Sequence, residues 1–246
     1  MDVLADLREH YDFTVEHLQL LKFDRKCMAD RNTIAMYISV IELADAVHIL
    51  CKNNSITGLG PVFRTLLEAF VELINVTDDE SYVYRMEAAD AEGWLKLLNE
   101  AAKGTNEYVA SISKDSNFEK ERQGYQDRIK ELQDQKLGAL SIADRFIRAG
   151  MEDEYRALYN GFSAEGHNNI RALLSRHIEI DHETNDFQIV FRKNEHDGEH
   201  DHKITTTSNF LLKAGIRLHE KYKTSALTAF QERFEAFIEN ESKHFA

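Results

Sequence analysis

A single proline, Pro61, occurs in 246 residues, and β-branched runs are rare before residue 178. Proline removes a backbone donor and clashes with the preceding turn, so its near absence predicts long uninterrupted helices. The expected fold is all-α: one bundle of about seven or eight helices over 1–246, with a small β-hairpin inserted near 178–192. Leu4, Leu7, Tyr11, Leu18 and Leu21 follow the three-four spacing of an amphipathic helix. A second helix, about Asn32 to Cys51, is apolar around most of its circumference and is expected at the centre. Gly58, Gly60 and Pro61 open a third, running to about Val76, because a first-turn proline gives up an amide that has no intrahelical acceptor. Asp78 and Asp79 suit the start of a fourth, with Trp94, Leu95, Leu97 and Leu98 as its buried side.

From Asn117 to Ala149 the chain is charge-dense, with Tyr125, Ile129, Leu132, Leu140 and Ile147 as a narrow apolar seam, and reads as one long, partly exposed helix. A further helix is expected from about Glu152 to His177. The period then changes to two: Ile178 and Ile180, then Phe187, Ile189 and Phe191, separated by the turn formers Thr184, Asn185 and Asp186. The segment 178–203 is therefore an inserted hairpin followed by a polar, acidic and His-rich loop. Thr205 to Ser208 offers an N-cap for the next helix, and Leu227, Phe230, Phe234 and Phe237 mark the last.

Charge and cysteine content narrow the function classes. The 30 basic and 43 acidic residues give a net charge of −13, which disfavours RNA and excludes extended duplex binding unless the cations cluster. Cys27 and Cys51 form no CxxC and read as core thiols of a reducing compartment. No apolar run is expected to reach the roughly 18–20 residues of a membrane helix. These features predict a soluble cytoplasmic protein with no membrane association.

Two polar stripes stand out. Arg64 and Glu68 lie four apart, and Tyr159, Ser163 and His167 lie at two successive steps of four, one turn above each other on a helix. Gly166 removes a side chain from the same region, which lets another group approach. Arg171, four beyond His167, stands over it if that helix is continuous. Asp45 shares the apolar face of Ile34, Ile38 and Ile41, with His48 nearby, and needs a partner. Arg64 is the candidate, unless Arg64, Glu68, Glu72 and Asn75 form a solvated face instead. Arg176, His177 and His182 have the spacing of a nuclease Arg-His motif but cross a helix-to-strand boundary. The run Glu195, His196, Asp197, Glu199, His200, Asp201 and His202 carries metal-ligand types without a rigid frame, so a solvated loop is expected and no metal or other cofactor is assigned.

The sequences Arg64-Thr-Leu-Leu-Glu68 and Tyr159-Asn-Gly-Phe-Ser163-Ala-Glu-Gly-His167 resemble the paired motifs of a bacterial all-helical family of undefined function. The resemblance spans about residues 31–220. Such families are grouped loosely with HEPN-like helical domains of prokaryotic conflict systems, which implies a place in antiviral defence. Two functions follow. One is a noncatalytic interaction or scaffold protein, a homo-oligomer or the subunit of a larger assembly, in which Arg64, Glu68, Tyr159, Ser163, His167 and Arg171 are structural. The other is a metal-independent ribonuclease or toxin effector with His167 as general acid or base, Arg64 or Arg171 binding phosphate, and Tyr159 and Ser163 orienting them. Polar core networks outnumber active sites, so the first is preferred.

Overall fold

The computed structural model describes residues 2–159, 161, 169–181, 183–184, 186–191, 198 and 200–244. Helix α1 (Val3–His17) starts at Asp2, whose carboxylate accepts from the amides of Leu4 and Ala5. Helices α2 (Met28–Lys52) and α3 (Leu59–Asp78) form the most extensive pairing, and α9 (Asp201–Lys221) closes the group against α1, α2 and α3. The main core lies where these four meet. Phe63 and Phe70 of α3 stack on Phe210 of α9 at 6.4 and 4.5 Å, and Tyr37, Leu66, Leu67, Leu73 and Leu211 are fully buried around them. The final helix α10 (Leu227–His244) packs on α9 through Phe230, whose ring lies 4.6 Å from that of His219.

Helices α4 (Tyr82–Ala102) and α5 (Phe118–Asp134) form a hairpin with its own small core of Leu98, Ala101 and Phe118. A bidentate contact from Arg128 to Glu87 ties the pair. Trp94, expected inside, is 46% exposed; Leu98 carries the packing instead.

The expected helix over 117–149 is two. After α5 the chain turns at Lys136, in the left-handed region at φ 61°, and restarts as α6 (Ile142–Arg148), capped by Ser141. The expected helix 152–177 is also divided. A short turn α7 (Glu152–Glu154) widens into a π turn over Tyr155–Tyr159, and α8 (Ile170–His177) begins anew at Asn169, which is extended and caps the amide of Ala172. These divisions raise the described helices to ten.

The expected hairpin is present, although Asp186, expected in the turn, opens the second strand opposite Asp181. Strands β1 (Ile178–Asp181) and β2 (Asp186–Ile189) pair antiparallel, with Ile178 opposite Ile189 and Ile180 opposite Phe187. Helix α9 starts before the expected cap. Thr205, Thr206 and Thr207 lie inside it and donate their hydroxyls to carbonyls one turn back. In that position a hydroxyl is satisfied locally and leaves the helix intact. One membrane expectation fails: α2 is long and apolar enough to cross a bilayer by length and composition. Its packing against α1, α3 and α9 accounts for that apolarity within the bundle.

Candidate functional site

The polar stripe of α3 recurs every three or four residues, so Arg64, Glu68, Glu72 and Asn75 stand on one side of the helix. The expected pairing with Asp45 is not made, and the solvated face is found only at one end. The stripe's Asn75 end is buried and Glu72 nearly so, while Arg64 and Glu68 stay partly exposed; Arg64 does not reach Asp45, whose carboxylate instead accepts from Arg8 on α1 at 3.4 Å. The segment from α6 through the π turn lies along the stripe and pairs with it.

At the upper end, Arg64 Nε donates to Glu68 Oε1 at 3.0 Å and Nη2 donates to the Tyr159 hydroxyl at 2.6 Å. The guanidinium carbon also sits 4.8 Å from the Tyr159 ring centroid. Tyr159 is buried, and its ring is held by Tyr155 and Phe146 at 5.4 and 5.3 Å. Tyr155 and Tyr159 open and close the π turn, with ring planes only 22° apart. One turn along α3, Glu72 accepts from Arg145 Nη1 at 2.7 Å, and Asn75 Nδ2 donates to the Arg145 carbonyl at 3.0 Å. Arg148 then pairs with Asp79. The result is a polar seam along α3 that fastens residues 145–159.

The electrostatics favour holding over proton transfer. Burial, followed by the Glu68 carboxylate, raises the Tyr159 phenol above its ordinary value, so at neutral pH it keeps its proton. Burial works against the Arg64 charge, but its bonds to Tyr159 and Glu68 outweigh that and raise its pKa. Its charge is offset by Glu68 at contact distance. Nearby, Tyr82 is pushed up by burial and then by the Glu72 carboxylate.

Behind the seam, between α2 and α3, a cleft of about 500 Å³ is lined by Met36, Leu43, Ser39, Thr65 and Ala69, with the carboxylates of Glu42, Glu68 and Glu72. Two of these carboxylates are already engaged, Glu68 by Arg64 and Glu72 by Arg145.

The structure thus brings together three of the six expected site residues, Arg64, Glu68 and Tyr159. Ser163 and His167 lie outside the described residues, as does Gly166. Arg171 is exposed on α8, and the extended backbone at Asn169 breaks the continuous helix that would have stood it over His167. His177 ends α8 and lies with Nδ1 3.2 Å from the Val190 carbonyl, fixing the hairpin to the helix; its proposed companion His182 is outside the described residues. Of the acidic His-rich run, Glu195, His196, Asp197 and Glu199 are likewise outside, and Asp201 and His202 form the first turn of α9. Cys27 and Cys51 are half-buried against the core and form no disulfide. Sequence reasoning missed Arg145. Glu72 and Asn75 continued the Arg64 stripe and hinted at a partner, but nothing in the charge-dense 117–149 region singled out one arginine.

The model of a family of unknown function (DUF5677) matches residues 31–187, which includes both motif segments and ends before α9, short of the expected 220. No curated protein and no solved structure matches the chain.

Proposed function

We propose, for a chain that belongs to the DUF5677 family of unknown function, that it is a noncatalytic interaction protein. Its polar seam holds the bundle together, and its working surface is the arm of α8 and the hairpin. The observation that carries this reading is the concentration of large exposed apolar residues on that arm, with Ile170, Phe187 and Ile189 each more than 60% exposed. Isolated exposed apolar residues are ordinary, whereas a clustered set marks an interface. The network at Arg64 fits a structural role because its charge is already neutralised by Glu68 and its phenol partner stays protonated. The bacterial, intracellular and antiphage setting, with its HEPN-like relationship, is part of this proposal and rests on the motif resemblance alone.

The alternative, a metal-independent ribonuclease or toxin effector using His167 with Arg64 or Arg171, is opposed by the engagement of the Arg64 guanidinium with Glu68 and Tyr159. The deciding experiment pairs growth on expression in bacteria, with and without phage challenge, with thermal melts of wild type, His167→Ala and Arg64→Ala. The interaction reading predicts that any change in phenotype follows a change in melting. A phenotype abolished in both variants at unchanged melting temperature establishes the effector instead.

A further inference from the structure

The cleft between α2 and α3 combines an apolar wall with polar groups of one kind. Met36 and Leu43 stand two turns apart on one stripe of α2, and Ala69 lines the α3 side. The polar groups are acceptors almost throughout. Thr65 spends its hydroxyl proton on the Pro61 carbonyl at 3.0 Å, which leaves it lone pairs alone to offer. Glu68 accepts at Oε1 from Arg64 Nε, and Glu72 at Oε1 from Arg145 Nη1. Both carboxylates are therefore balanced in charge, yet each keeps acceptor capacity. Glu42 is exposed at the rim and has neither an ion pair nor a side-chain hydrogen bond among the described residues. Of the side chains lining the cleft, the Ser39 hydroxyl is the one that still has a proton to give.

We propose that this cleft binds a small primary ammonium ion carried on a short apolar body, a function separate from the interaction reading above. An occupant has to bring the donors that the walls lack, and an ammonium has three donors and no acceptor. A carboxylate or phosphate would set acceptor against acceptor. Charge balance points to a single cation, because Arg64 and Arg145 neutralise Glu68 and Glu72 and leave Glu42 as the one unpaired carboxylate of the cleft. The apolar body has Met36, Leu43 and Ala69 to lie against, and the unbranched thioether of Met36 adapts to its shape. The volume of about 500 Å³ falls within the roughly 300–1,000 Å³ of small-molecule sites. The Arg64–Glu68 pair thereby serves the cleft as well as the seam: Arg64 fixes a carboxylate that lines it.

The test is a methyl NMR titration of the full chain with phenethylammonium, followed at Met36, Leu43, Thr65 and Ala69. Phenethyl alcohol and phenylpropanoate serve as the neutral and anionic counterparts. Salt of roughly 0.15 M screens the general attraction of a chain of charge −13 for cations. Wild type is expected to bind the ammonium with a Kd below about 1 mM and about tenfold tighter than the alcohol, with no shifts from the carboxylate. Glu42→Gln alters an exposed position, so it should weaken the ammonium by roughly three- to fivefold at an unchanged melting temperature and leave the alcohol as it was. Ser39→Phe fills the cleft and should abolish the shifts with both; if that variant fails to fold, Glu42→Gln decides alone. Equal affinity for ammonium and alcohol, ammonium binding indifferent to Glu42→Gln, or no methyl shifts up to about 10 mM overturns the proposal.

Discussion

His10 and His219 are buried at the junction of α1, α9 and α10, and each is committed to being neutral. His10 Nδ1 accepts from Arg233 Nε at 3.0 Å, which an imidazolium cannot do. Burial, then the Arg233 charge, lowers its pKa to about 4. His219 lies 2.6 Å from the Thr224 hydroxyl and faces His17; burial, then His17, lowers it to about 4 as well. Both values lie below the 6.5 of a free imidazole, so between pH 6.5 and 4 the unfolded chain binds more protons than the folded one. Stability is therefore full above about pH 6.5 and falls as the pH drops toward 4, by on the order of 3 kcal/mol per ring. Urea titrations at pH 7.5, 6 and 5 should show the midpoint falling in that window. Asp79 and Glu87, held low chiefly by bonds to Ser81 and Arg128 respectively, keep their contributions above the ordinary carboxylate range and lose them as the pH falls through it. A flat midpoint from pH 7.5 to 5 would remove both histidines from the account.

At the scale of elements, the contact of α9 with α10 depends on one missing side chain. A Cβ on Gly215 would meet the Phe230 ring at 2.1 Å, and that ring is fully buried against His219 and cannot swing away. Gly215→Ala should destabilise the protein by about 1–3 kcal/mol through overpacking, despite alanine's better helix propensity. A denaturation midpoint equal to or above wild type would contradict this. The same scale shows what the sequence could and could not reveal. The hairpin was legible because Ile178, Ile180, Phe187 and Ile189 alternate. The break after α5 was not. There the amide of Lys136 bonds to Gln133 and that of Leu137 to Leu132, the pattern of a Schellman cap, with lysine in the left-handed position that glycine usually marks. Arg85, 51 residues earlier in sequence, then holds the turn by donating to the carbonyls of Lys136 and Gly138, a tertiary contact with no local signal.

For the molecule as a whole, the paired motifs pointed to the right helix face but not to what covers it. Arg64 and Glu68 were visible by spacing, and Tyr159 by its own stripe; their meeting across 95 residues depends on the turns at Gly150 and at the π-helical segment, which carry no period. Tyr159 proved to be held by ring contacts and an arginine, with the rest of its expected stripe outside the described residues. The account's central claim is that the seam on α3 fastens the 145–159 segment to the bundle. A double-mutant cycle in urea, with Arg64→Met, Tyr159→Phe and the pair, tests it most directly. The predicted result is a loss of about 1–2 kcal/mol for each single variant, with a coupling energy near 1 kcal/mol because both remove the same bond. Single variants as stable as wild type, with effects that add to within about 0.3 kcal/mol, would contradict the claim and return Arg64 and Tyr159 to the chemistry of a site.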